Sequence, residues 1–138
     1  MRNHIRHNAG IPIDIIHDNN KYQFVLLNVS MGGIACKGDK QFDVHTEVQI
    51  HIPQLRPDYT AHGIIVWCKK VQDLSEHGLY ELGIEHCGER DEAQLRMVEQ
   101  VSNIEHYRNE IKITEGRTLT GDEAAREWIS IYSRHHGD

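Results

Sequence analysis

The sequence predicts a mainly β domain, a small antiparallel barrel or sandwich of six short strands, followed by two amphipathic helices. Three observations carry this. From Ile11 to His86 the apolar residues are largely β-branched and alternate with polar ones, and Gly, Pro, Asn and Asp separate the runs. From Glu89 onward the apolar residues recur at steps of three and four instead. The chain is also short, 138 residues with 38% hydrophobic content, which suits one domain with one modest core.

Ile11 to Ile16 reads as the first strand, and Asp18-Asn19-Asn20 as a turn. Tyr22 to Asn28 is the second strand. Ile34 to Lys37 is a short third, closed by Gly38-Asp39. In Glu47 to Ile52, Val48, Ile50 and Ile52 share one face while Gln49 and His51 share the other. Pro53, Pro57 and Asp58 then interrupt the chain. Thr60 to Val71 and Leu79 to His86 are two longer strands joined by the polar stretch from Gln72 to Gly78. Beyond them Leu95, Val98, Val101, Ile104 and Ile111 form a helical stripe over Glu89 to about Lys112. Ile113 to Leu119, with Gly116, is a connector. Thr120 and Glu123 then have the spacing of a capping box, and the helix they open carries Ala125, Trp128, Ile129 and Tyr132 on one stripe. The expected organisation is a barrel domain over residues 1–88 and a helical extension over residues 89–138 that packs on the barrel.

Charge and composition exclude several functions. The chain has 15 Lys+Arg against 21 Asp+Glu, a net charge of -6, which argues against a general binder of DNA or RNA. A single-strand binder would also need a basic groove set with aromatic platforms. No apolar run reaches the roughly 18 residues that span a bilayer, and Met1 to Arg6 lacks a signal peptide's apolar stretch. A cytoplasmic protein without membrane insertion is expected. Cys36, Cys68 and Cys87 are odd in number and widely spaced, so reduced thiols are expected rather than a disulfide framework. His86-Cys87 and His135-His136 lack metal-ligand spacing, and no metal site is expected. Ser30 has no evident base near it in sequence, so no catalytic residue is assigned and the protein is not expected to be an enzyme. The eleven histidines are unusual, because imidazoles titrate near neutral pH and would offset much of the negative charge in mild acid.

Two short segments carry chemistry. Arg2 and Arg6 stand four residues apart before the first strand, where two guanidiniums can converge on one anionic group with forked donors. By themselves they read first as solvated arginines near a terminus. Asn28-Val29-Ser30-Met31-Gly32-Gly33 ends the second strand. Its Asn and Ser can hydrogen-bond a base edge or a phosphate, and its glycines let a backbone approach closely. The plainer reading is a turn that only joins two strands.

Taken in order around a barrel pattern, these residues resemble the PilZ family of bacterial cyclic di-GMP receptors, whose signature is RxxxR followed by (D/N)xSxxG. Arg2 and Arg6 match the first part, and Asn28, Ser30 and Gly33 the second. Gly63-Ile64-Ile65-Val66-Trp67 is similar to the family's G-x-V-V-W strand, and Tyr80 to Glu85 to its Y-x-L-G-V-x-F strand. The resemblance covers about Arg2 to His86 and implies a six-stranded antiparallel PilZ-type β-barrel.

It also implies a ligand, cyclic di-GMP, and no other cofactor. Arg2 and Arg6 would grip phosphates and stack on guanine or read its O6/N7 edge. Asn28 and Ser30 would supply directional hydrogen bonds, and Gly33 would leave room. Trp67 and Gly83 are additional candidate contacts, although a tryptophan in an apolar strand is first of all barrel wall. Two positions depart from the pattern. Met1 stands where many members carry a further Arg, which leaves open a single nucleotide or an intercalated pair, and His86 stands where Phe is usual. The implied function is a cyclic di-GMP-responsive adaptor without catalysis, signalling to a protein partner in motility, adhesion or exopolysaccharide control. The alternative is a PilZ-like interaction scaffold that binds no nucleotide, against which the intact motif residues speak.

Overall fold

The computed structural model describes residues 10–71, 78–89 and 91–136, of which the side chains of 133–136 are excepted. Among them lie six strands and two helices: β1 (Pro12–His17), β2 (Asn20–Val29), β3 (Gly33–Gly38), β4 (Glu47–Ile52), β5 (Tyr59–Val71), β6 (Leu79–His86), α1 (Glu92–Glu115) and α2 (Gly121–His136). The strands form a closed barrel in the order β1-β2-β3-β6-β5-β4, every neighbouring pair is antiparallel, and β1 pairs with β4 to close it. Closure leaves no edge strand exposed, so the barrel rather than the sandwich is the architecture.

Alternation does most of the sorting. Ile13, Ile15, Ile50 and Ile52 point inward and are almost fully buried. Two β-bulges interrupt the alternation where it matters. In β2, Leu26 pairs with Cys36 and Asn28 with Ala35, so Leu27 is the extra residue; in β5, Ile65 pairs with Ile84 and Trp67 with Gly83, so Val66 is extra. Leu26 and Ile65 face the core. Strict alternation would turn Asn28 and Trp67 inward as well. Each bulge adds one residue and returns the next side chain to the outer surface, where both are exposed.

The helices share the barrel's hydrophobic core through Met97, Val101, Ile104, Ile111, Ala124 and Ala125. Asp91 caps α1 by accepting from Gln94 N at 2.9 Å, and Gly116 ends it in the left-handed conformation. The capping box of α2 is present in both directions, with Glu123 N donating to Thr120 Oγ1 at 3.0 Å and Thr120 N to Glu123 Oε1 at 2.9 Å. One expectation is corrected. Leu95, read as the start of α1's buried stripe, is 48% exposed, while Gln94, Met97 and Gln100 are buried. The cause is the β4–β5 loop under the helix, whose peptide groups need partners. Gln100 supplies them, accepting from Arg56 N at 3.1 Å and donating to Arg56 O at 2.9 Å. A glutamine on the buried face conceals the phase of the stripe. On α2, Trp128 and Tyr132 stack at 5.1 Å and are half-buried.

Candidate functional site

Arg2 and Arg6 lie outside the described residues. The remaining sequence-predicted residues come together on one outer face of the barrel. A single register row crosses four strands: Asn28 opposite Ala35, Ala35 opposite Gly83, and Gly83 opposite Trp67. Partners in a row point to the same side of the sheet. Asn28 and Trp67 therefore stand at the two ends of a shelf whose floor is made of the two smallest side chains available. The indole extends over that floor, for a Cβ on Gly83 would lie 2.1 Å from Trp67 Nε1. Trp67 is thus outer wall, and 36% exposed.

Ser30 and Gly33 build the turn at the head of the shelf. Ser30 N donates to Gly33 O at 2.9 Å, Ser30 Oγ donates to the same carbonyl at 3.4 Å, and Gly32 N donates to Ser30 Oγ at 3.3 Å. The seryl oxygen is exposed, so it serves the turn while facing solvent. Gly33 pairs with Glu85 of β6. A Cβ there would sit 2.3 Å from Ile84 O, a backbone atom of β6, so the space it saves is taken by the neighbouring strand.

The outer face carries two cations that sequence reading missed. Lys37, two residues beyond Ala35, pairs with Glu81, and Glu81 with Lys69, whose Nζ is 3.9 Å from the Glu81 carboxylate. Residues two apart on a strand share a face, so both lysines flank the shelf. Only the cross-strand register brings them together, and no spacing in the sequence signals it.

Behind the turn sits His86. Its N–H donates to Gly32 O at 3.0 Å, and its Nδ1 is 3.5 Å from the Tyr59 hydroxyl. Burial holds the imidazole below its ordinary value, with the Asp91 carboxylate acting in the opposite direction. Burial, helped by Asp91, pushes the Tyr59 phenol up to about 12.

The sequence profile of the PilZ domain matches residues 1–101 of the 138. The chain belongs to the PilZ domain family. The PilZ match runs through the whole barrel and into α1, further than the stretch from Arg2 to His86. No curated relative matches the sequence significantly. Among solved structures, the PilZ domain of YcgR from Escherichia coli, determined with c-di-GMP, superposes with a TM-score of 0.57 at 12% identity, over 85% of this chain and 98% of that one. MrkH of K. pneumonia in its apo state gives 0.56 at 13% identity over 72% of this chain. PlzA of Borreliella burgdorferi, in complex with c-di-GMP, gives 0.51 at 11% over 83% of this chain. This PilZ chain spans about half the length of MrkH and PlzA, 48% and 53%. At such identities the likeness is one of fold.

Proposed function

We propose that this chain is a cyclic di-GMP receptor without catalysis of its own. The observation that carries the reading is the shelf of Ala35 and Gly83 between Asn28 and Trp67, set beside the Ser30–Gly33 turn. A flat purine needs a smooth floor and an aromatic edge, and a phosphodiester needs cations and directed donors. The shelf supplies the first through Gly83 and the indole of Trp67. Lys37 and Lys69, with Arg2 and Arg6, supply the second. β1 runs antiparallel to β2 with Pro12 opposite Val25, and Gly10 N donates to Leu26 O at 2.9 Å, so the chain enters the barrel alongside the end of β2 that carries Asn28. Arg6 is four residues upstream of Gly10, a reach of at most about 14 Å, which is sufficient for its guanidinium to meet the shelf.

The solved PilZ domain of YcgR and the PlzA protein, both determined with c-di-GMP, add support through the shared fold. In this reading Arg2 and Arg6 grip the phosphates and meet guanine, while Asn28 and Ser30 provide hydrogen bonds. Gly33 keeps the turn against β6. Trp67 and Gly83 form the stacking edge. Residues 1–88 are the receptor domain and residues 89–138 its extension. The receptor acts in the cytoplasm and passes its state to a protein partner controlling motility, adhesion or exopolysaccharide output. Calorimetric titration with cyclic di-GMP, fitted for affinity and stoichiometry, tests the binding; saturable heat is expected, and its absence would overturn the reading.

A further inference from the structure

His86 ends β6, and the register that turns Ile84 inward turns His86 inward too, opposite Gly63. Its main chain is anchored to the nucleotide turn, because His86 N donates to Gly32 O. The next residue is pinned on the other side, with Cys87 N donating to His62 O at 3.0 Å. The ring meets Tyr59 edge-on, 6.1 Å between centroids at 86°. Tyr59 is 5% exposed, and its hydroxyl, donor or acceptor according to the imidazole tautomer, is the partner of His86 Nδ1. In either tautomer Nε2 is buried and has no hydrogen-bond partner among the described residues. The neutral ring already carries one unsatisfied polar group, and a second proton would add a charge beside it. The titratable groups facing the ring are Tyr59 from β5 and Asp91 from the start of α1, and the Asp91 carboxylate is already engaged in capping the helix through Gln94 N.

We propose that His86 is a positioning residue that holds the Asn28–Gly33 turn against the end of β6, and that its protonation loosens that turn. The inference deepens the cyclic di-GMP reading, on which it rests for the meaning of the turn. A charged imidazole is better solvated outside the barrel end than in it. As it turns toward water it draws the end of β6 with it, so Gly32 O loses its partner. Because the folded protein holds the imidazole below its ordinary value of 6.5, His86 contributes stability that is full above that value. The contribution is lost as pH falls from there toward the lowered value. Nucleotide affinity should follow the same course.

The test compares the full chain with His86→Phe, which fills the space without titrating, and with His86→Gln, which stays polar without titrating. Amide exchange is measured without nucleotide at pH 5.5 and 7.5, corrected for intrinsic rates. The wild type should open residues 84–88 in acid, and neither variant should. Titration with cyclic di-GMP at the same pH values should show wild-type affinity, relative to either variant, falling by up to about tenfold between pH 7.5 and 5.5, the ceiling for an imidazole of ordinary value. Taking the ratio removes whatever the other histidines contribute equally in all three proteins. Parallel pH profiles in the three proteins, in exchange and in affinity, would overturn the role of His86. Saturable binding by none of them would refute the nucleotide reading instead, and the exchange measurement would still decide on His86.

Discussion

Replacing Gly33 by alanine separates what the PilZ motif does for the fold from what it does for a ligand. The new Cβ would lie 2.3 Å from Ile84 O and 3.3 Å from Glu85 Cα. The first atom is backbone, so no rotamer change relieves the contact. β3 and β6 must part by about 1 Å before carbon and oxygen reach an ordinary separation. Hydrogen bonds here are near their best length, His86 N to Gly32 O at 3.0 Å, and opening by that amount takes them past the useful range. Losing one or two such bonds at about 1 kcal/mol each, on top of about 1–3 kcal/mol for overpacking, gives a destabilisation of about 2–5 kcal/mol. With a urea dependence of about 2 kcal/mol per molar, the middle of the usual range, the unfolding midpoint should drop by about 1–2.5 M. Urea denaturation followed by tryptophan fluorescence reads this, and titration with cyclic di-GMP reads the affinity of the folded protein. An unchanged midpoint together with lost binding would refute the reasoning and make Gly33 a ligand contact.

Other expectations follow from the same geometry. Arg6→Ala and Arg2→Ala should each weaken cyclic di-GMP binding at least about tenfold, since charge-assisted bonds are worth roughly 1.5–3 kcal/mol, and should leave the apo melting temperature unchanged; calorimetry and a thermal scan check both. Gln100→Ala should destabilise by about 2–3 kcal/mol in urea by stripping both partners from the Arg56 peptide groups, and Gln100→Glu, which keeps the acceptor for Arg56 N but sets a buried carboxylate oxygen against Arg56 O, should cost at least as much. The Tyr59 phenol is raised from 10.0 to about 12, so its contribution to stability is full below pH 10 and is lost as pH rises toward 12. Urea midpoints at pH 9 and 11 should therefore fall further in the wild type than in Tyr59→Phe.

Most of the fold was legible because both periodicities are clean. β4 alternates without exception, Thr120 and Glu123 have the spacing of a capping box, and the polar breaks fall between strands. What escaped depends on partners distant in sequence. Nothing local shows that Leu27 and Val66 are bulged, since Leu26-Leu27 and Ile64-Ile65-Val66 read as ordinary apolar runs, yet the bulges decide which way Asn28 and Trp67 point. The phase of α1 was misread at Leu95 because Gln100 is buried for the sake of the Arg56 peptide, a need created by the loop beneath it. Lys37 and Lys69 are 32 residues apart, from 37 to 69, and share a face only through Glu81 between them.

The receptor and scaffold readings make the same demand on part of the motif. Ser30 closes the turn between β2 and β3, Gly33 gives β6 its clearance, and Gly83 lies beneath the Trp67 ring. A barrel that never met a nucleotide would need these residues as much as one that did, so their presence establishes the architecture and does not separate the readings. Asn28 and the two N-terminal arginines are different. Asn28 is exposed at the end of the shelf, and a side chain held outward by a bulge has no packing role that requires an amide. Arg2 and Arg6 precede the first strand, and neither the Ser30–Gly33 turn nor the clearance between β3 and β6 calls for a guanidinium. Surface substitutions away from packing change stability by no more than about 0.5 kcal/mol, so Asn28→Ala should leave the urea midpoint nearly where it is. If it also leaves cyclic di-GMP affinity in place, the outward turn of Asn28 has no ligand to explain it, and the scaffold becomes the better account of this barrel.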